Sequence, residues 1–362
     1  VAESEEHAMN GSETSKPSLK LGEIRRKAVS VSKDDLVKTG PAQPGQSLPL
    51  LVEPTTEDVD PIVWAQGNRD FIERKLHEHG ALLFRGFKIG SMAQFERFAL
   101  TMIPSLLHYV EGSSPRIMKT DGVYTSTEYP PEYFISMHNE LSYAHRWPGK
   151  IFFYCQTAPP KGGETPIADS RKVLARLSPE LKNRFVEKGV KYTRNLHGGR
   201  GAGLSWQTVF ETEDREKVES YCREGGIDFT WTDDGGLRTS QLRPAIIQHP
   251  RTGESVWFNQ VDQWHPSNLT EEVATALLAM TREEDLPINA YFGDGTPLDA
   301  AELEEVRHAF RETLVAVPWQ EGDVMLVDNI LAAHGRMPFE GPRKIMVVMG
   351  EPVGLDDVRR PS

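Results

Sequence analysis

The residues with the most chemical promise form a short run, Met137-His138-Asn139-Glu140. On a strand, side chains two apart share a face, so His138 and Glu140 can grip one object together. An imidazole and a carboxylate suit Fe(II), Mn(II) or Zn(II). A second histidine would complete a two-histidine, one-carboxylate face that leaves octahedral positions open for substrates and oxygen. His334 is the best candidate, because it follows the apolar run that ends in Val327-Asp328-Asn329-Ile330-Leu331-Ala332-Ala333 and precedes Gly335, where backbones can approach closely. Beyond it lies the turn-rich Met337-Pro338-Phe339-Glu340-Gly341-Pro342, then Arg343 at the head of another strand. That pattern folds Arg343 back toward His334, where a guanidinium fork can hold a carboxylate at two points. Arg336 is a second cation nearby. In Lys161-Gly162-Gly163-Glu164-Thr165-Pro166 the glycines permit a tight turn, and the Thr165 hydroxyl can donate to a bound carboxylate. An open-sided metal beside such cations suits an oxidase co-substrate that carries two carboxylates.

Candidate polar contacts for a substrate are Asn139, Ser142, Arg194, His197, Arg200, Asn259 and Gln260. Asn139 stands between two ligands, so on a regular strand it faces away from the metal. Arg194 and Arg200 flank Asn195-Leu196-His197-Gly198-Gly199, a composition suited to a lid whose charge could meet a substrate carboxylate.

These groups need a scaffold, and the chain is long enough for one. It has 362 residues, a formal charge of −12 and 38% hydrophobic residues, sufficient for a sizeable core. The acidic balance argues against sequence-independent nucleic-acid binding. No apolar run approaches the roughly 20 residues of a spanning helix, and the acidic start does not read as a secretory signal. Cys155 and Cys222 cannot build a disulfide framework, so a reducing cytoplasm is the expected setting. Residues 1–45 read as a polar, flexible arm closing on Gly40-Pro41-Ala42-Gln43-Pro44-Gly45, and residues 354–362 as a tail. Between them, helical spacing runs from Ile62 to His79 with Gly80 as a stop, and Ala81–Phe84 reads as a buried strand. Ser91-x-x-Gln94 reads as a capping box, and Ser178-Pro179 opens a helix that Gly189 ends. Residues 150–155, 323–328 and 344–349 are strand-like, as is most of 190–265 apart from a helix around 214–224. Two more helices fit 271–282 and 299–313. The predicted fold is mainly β with helices: a decorated β-sandwich rather than a parallel α/β sheet, with a helix-bearing insertion over about 170–315.

Taken together, His138, Glu140, Thr165, His334 and Arg343 resemble the TauD/TfdA family of Fe(II)/2-oxoglutarate-dependent dioxygenases. Within it they look most like the amino-acid β-hydroxylases of nonribosomal-peptide pathways. The resemblance spans residues 46–353. It is carried by Met137-His138-Asn139-Glu140-Leu141-Ser142-Tyr143, Gly162-Gly163-Glu164-Thr165-Pro166-Ile167-Ala168-Asp169, Val256-Trp257-Phe258-Asn259-Gln260 and His334-Gly335-Arg336-Met337-Pro338-Phe339. It implies a double-stranded β-helix, a jelly roll with a cupin-like core and helices outside it. It also implies Fe(II) on His138, Glu140 and His334, with 2-oxoglutarate on Thr165 and Arg343 and O₂ as oxidant. The implied reaction hydroxylates a C–H bond of an amino acid, free or tethered to a peptidyl carrier protein, with release of succinate and CO₂. Two positions depart from the family pattern. Many relatives carry aspartate where Glu140 stands, and the taurine branch carries a further arginine where Val347 stands, so that either Arg343 works alone or Arg336 or Lys344 assists it. Other readings are the same chemistry on a different carboxylate or a quaternary amine, desaturation or ring closure, and a cupin-like protein that binds metal without turnover. The oligomeric state is open.

Overall fold

The apolar runs from the two ends of the chain meet in one sheet. In a computed structural model that describes residues 36–107, 111–112, 118–120, 123–125, 129–201 and 203–360, Ala81–Phe84, Val324–Asp328, Arg146–Thr157 and Lys344–Gly354 lie side by side, each antiparallel to the next. Alternation sends their side chains into two cores. Phe152, Tyr154, Leu326, Met346 and Val348 pack with the N-terminal helices. Ile151, Phe153, Val327, Ile345 and Val347 pack on the opposite face. A sheet buried on both sides explains why these strands read as continuous apolar runs. Leu50–Pro54 joins Ala81–Phe84 in parallel and is itself edged by Val37–Pro41, and Val123–Thr125 and Met118–Thr120 close the far edge, giving eight strands among the described residues.

A second, three-stranded sheet carries the chemistry. Ala332–Arg336 is its centre, flanked antiparallel by Ile135–His138 and Ile167–Asp169. The insertion contributes helices and also a sheet of its own: Asp228–Trp231, Leu237–Arg243, Val190–Leu196 and Ile288–Phe292, in that order.

Local expectations are met where a cap or stop is explicit. Ser91 Oγ accepts the Gln94 N–H at 3.2 Å, while the Gln94 side chain takes the Gly90 N–H, one residue before the box as predicted. Ser178 caps Pro179–Lys188, and Gly189 ends that helix at φ 69°. The long helix expected from Ile62 to His79 is two helices, Pro61–Gly67 and Arg69–His79, because Asn68 adopts φ −128°, ψ 26°. The expected arm lies outside the described residues up to residue 35. Its end does not hang free, since Val37–Pro41 pairs with Leu50–Pro54 as an edge strand, a place that tolerates Pro41. At the other end Arg359 bridges to Gln248, so the expected tail is also docked. Among the described residues no helix is long and apolar enough to cross a membrane. Both cysteines are free and buried, and burial above all pushes each thiol up to about 12.

Candidate metal centre

His138 and His334 face each other directly across the antiparallel pair of Ile135–His138 and Ala332–Arg336, which places their side chains on one face. Their ring centroids are 4.4 Å apart, and Phe153 packs against the His334 ring at 5.1 Å. Glu140 Oε2 lies 3.8 Å from His138 Nε2 and 3.6 Å from His334 Nε2. One ligand atom from each of the three lies within 4.8 Å of the others, and all three residues are buried. His138 Nδ1 is 2.8 Å from the Ser136 carbonyl, which can only accept, so Nδ1 carries the proton and Nε2 offers a lone pair. Two imidazole nitrogens and a carboxylate oxygen converging among buried residues fit a divalent iron.

Glu140 reaches this position by a different route from the predicted one. The strand stops at His138, and Glu140 sits in the turn after it, which Leu141 closes at φ 56°. Asn329 holds that turn. Its Oδ1 accepts the Glu140 N–H at 2.7 Å, and its Nδ2 donates to the carbonyls of Glu140 and Pro148, both at 2.9 Å. One side chain thus saturates both backbone groups of a ligand 189 residues away. Asn329 was missed from the sequence, although an Asp-Asn pair at a strand end is a turn signal. Asn329→Ala should lower Fe(II) or Mn(II) affinity by on the order of 10–100-fold in equilibrium titrations, as loss of a supporting residue does at other metal sites. Unchanged affinity would mean that the turn holds without the amide.

His77, His249 and Asp328 form a second His/carboxylate group among the described residues. His249 Nδ1 accepts the N–H groups of Arg251 and Thr252, so Nε2–H donates to Asp328 at 3.1 Å. The other Asp328 oxygen accepts from Ile330 and Leu331. This pair braces the turn that presents Asn329.

The run after His334 crosses from the three-stranded sheet to the eight-stranded one instead of closing a hairpin on its own strand. Lys161–Gly162 pairs with Phe339–Glu340, and Arg343 Nε donates to the Gly163 carbonyl at 2.8 Å while Nη2 lies 3.4 Å from Thr165 Oγ1. Burial, and then the nearby Arg336, push the Arg343 guanidinium down to about 10. It therefore stays charged at neutral pH, with Glu164 a nearby group that opposes the downward shift. Arg336 is also buried, but it donates to the carbonyls of Tyr129, Pro130 and Tyr133, tying down that loop. The Phe339 ring lies within 5.1 Å of the Arg336 guanidinium carbon and 5.6 Å of that of Arg343. Lys344 is exposed and Val347 is buried in the sheet. At Gly163, φ 73° and a would-be Cβ 3.0 Å from Arg343 Cδ leave no room for a side chain. Gly163→Ala should therefore weaken 2-oxoglutarate binding while metal affinity holds. Equal loss of both would point to a general collapse.

The candidate substrate contacts separate. Asn139 turns away, as expected, and donates to the Asn329 carbonyl at 2.7 Å. Asn259 and Gln260 serve the backbone: Asn259 bridges the Ala245 carbonyl and the Val261 N–H, and Gln260 Nε2 donates to the Asn139 carbonyl. Ser142 is buried beside the ligand turn, and its Oγ has no hydrogen-bond partner. The presumed lid divides. Arg194 points inward, whereas His197 and Arg200 line a surface groove with Asp233 and Arg238. Sequence reasoning also missed Gln263, whose amide comes within 3.5 Å of His138 Nδ1.

A family model for the taurine catabolism dioxygenase TauD, TfdA family matches residues 48–349. The chain belongs to this family. It is an Fe(II)- and 2-oxoglutarate-dependent dioxygenase, and O₂ is its co-substrate. The dioxygenase is 44% identical over 282 residues to the dapdiamide synthesis protein DdaC of Enterobacter agglomerans, covering 78% of this chain and 85% of that one. It is 34% identical over 315 residues to a clavaminate synthase-like protein of Arabidopsis thaliana, covering 84% of this chain and 88% of the other. Its fold is shared with PvcB of Pseudomonas aeruginosa, at a TM-score of 0.53 and 15% identity over 91% of this chain and 96% of that structure.

Proposed function

We propose that this dioxygenase hydroxylates an unactivated C–H bond of an amino acid or an amino-acid-derived small molecule. One O₂ and one 2-oxoglutarate are consumed, one oxygen atom enters the product, and succinate and CO₂ leave. The observation that carries this reading is the convergence of His138, Glu140 and His334 on one face, with the half-buried Arg343 and the buried Thr165 meeting in the adjoining loops. Kinship with a dapdiamide synthesis protein supports a biosynthetic substrate of this class. The eight- and three-stranded sheets form, on this reading, the two halves of a double-stranded β-helix, and the free thiols fit a cytoplasmic setting.

Each side chain has a definable task. His138, Glu140 and His334 would hold Fe(II), leaving the opposite face for ligands. The Arg343 fork and the Thr165 hydroxyl would bind and orient the far carboxylate of 2-oxoglutarate, and that anion would relieve the charge imbalance between Arg343 and Arg336. Phe153, against the His334 ring, keeps water from the metal-bearing face. Bound iron with its 2-oxo acid supplies the activation of O₂; the chain supplies geometry, dryness and aim.

The test is succinate formation, screened over free amino acids and carrier-bound aminoacyl groups, with mass spectrometry of the products. A gain of one oxygen is expected. Loss of two hydrogens would assign desaturation or ring closure instead. A protein that binds Fe(II) but makes no succinate with any substrate would be a binding module.

A further inference from the structure

Arg194 stands on Val190–Leu196, a strand whose alternate residues are buried, and it is itself 4% exposed. Its Nη2 donates to the Glu111 carbonyl at 3.1 Å, but Nε and Nη1 have no acceptor. The Glu111 carboxylate is taken by the Tyr221 hydroxyl at 3.0 Å and by Gln241 Nε2 at 2.8 Å. The contrast with Arg243, 3% exposed on the next strand, is direct. Arg243 donates to the carbonyls of Tyr143, Leu242 and Gly225 and to Gln241 Oε1. Burying a cation without partners is costly. Part of that cost is offset by the Tyr143 and Trp264 rings, 4.8 and 4.6 Å from the Arg194 guanidinium carbon. Rings accept no N–H bond in the guanidinium plane, so they leave Nε and Nη1 without acceptors. Both rings belong to segments that carry the metal centre. Tyr143 is three residues past Glu140, and Trp264 follows Gln263, the residue beside His138.

We infer that Arg194 seats a free carboxylate of the substrate, so the substrate is an acid whose carboxyl group is neither esterified nor joined to a carrier as a thioester. This rests on the hydroxylase reading above. A carboxylate oxygen supplies an acceptor to Nη1 or to Nε, which lie on the two edges either side of Nη2, and its charge attracts the guanidinium. An ester or thioester brings no charge.

The probes are the proteinogenic L-amino acids and their methyl esters. They are titrated anaerobically by calorimetry into the enzyme holding Fe(II) and 2-oxoglutarate. In the native protein at least one free acid should bind tenfold or more tighter than its ester. Arg194→Gln should erase that preference, and Arg194→Lys should restore part of it. Equal binding of acids and esters, a preference that survives Arg194→Gln, or no bound acid at all would each overturn the inference. The visible charge-transfer band of the iron–2-oxo acid chelate is recorded in both proteins. Its absence from the native protein would sink the iron/2-oxoglutarate reading, whereas the acid-over-ester preference is judged by calorimetry alone. Loss of the band in Arg194→Gln only would assign the residue to the fold and overturn the inference.

Discussion

His334→Ala is expected to abolish both stoichiometric Fe(II) binding and substrate-dependent succinate formation. Removing this imidazole leaves His138 and Glu140 alone in a buried pocket, with the Glu140 carboxylate short of one of its two nitrogen neighbours. Two ligands cannot hold a hard divalent cation against water as three can. The strand itself should survive, because Ala332–Arg336 is held by backbone pairing on both sides. The decisive measurement is therefore metal content at a preserved thermal unfolding transition. A variant that keeps its iron would remove His334 from the centre and with it the functional assignment.

The second large effect is expected at Arg343. Arg343→Met keeps much of the side chain's length and apolar contact with Phe339 but removes the charge and the fork. Truncating one partner of a buried, hydrogen-bonded charge pair typically costs about 2–5 kcal/mol. The 2-oxoglutarate dissociation constant should thus rise on the order of 10²–10³-fold with Fe(II) affinity unchanged, read from anaerobic titration of the visible band. Arg343→Lys should recover only a fraction, since an ammonium cannot grip both carboxylate oxygens in a plane. If the Arg343→Met protein bound 2-oxoglutarate normally, the clamp would lie elsewhere, with the nearby Arg336 as the next cation to test.

Arg336 shows how far residue type alone carries the clamp. From sequence it and Arg343 were two cations near one histidine. The structure gives Arg336 to the loop carbonyls of Tyr129, Pro130 and Tyr133 and Arg343 to the Gly163 turn. The amides divide in the same way: Asn139, Asn259 and Gln260 are polar enough to meet a substrate, yet each completes a hydrogen bond that the backbone would otherwise lack. Buried main-chain groups must find partners, and a short amide is the commonest supplier.

The sequence by itself determined the ligand types, the apolar runs that become a sheet buried on both faces, and the helix caps at Ser91 and Ser178. These follow from short-range rules: donor chemistry, side-chain alternation and the unsatisfied N–H groups of a helix start. The tertiary structure alone decided how Glu140 turns toward the histidines, since that depends on Asn329 from the far end of the chain. It also decided that Arg343 reaches the Gly163 turn, that Arg336 ties a loop, and that Arg194 is buried with Nε and Nη1 lacking acceptors. No local pattern encodes these outcomes, because each is set by which distant backbone groups happen to need a partner once the sheets have closed.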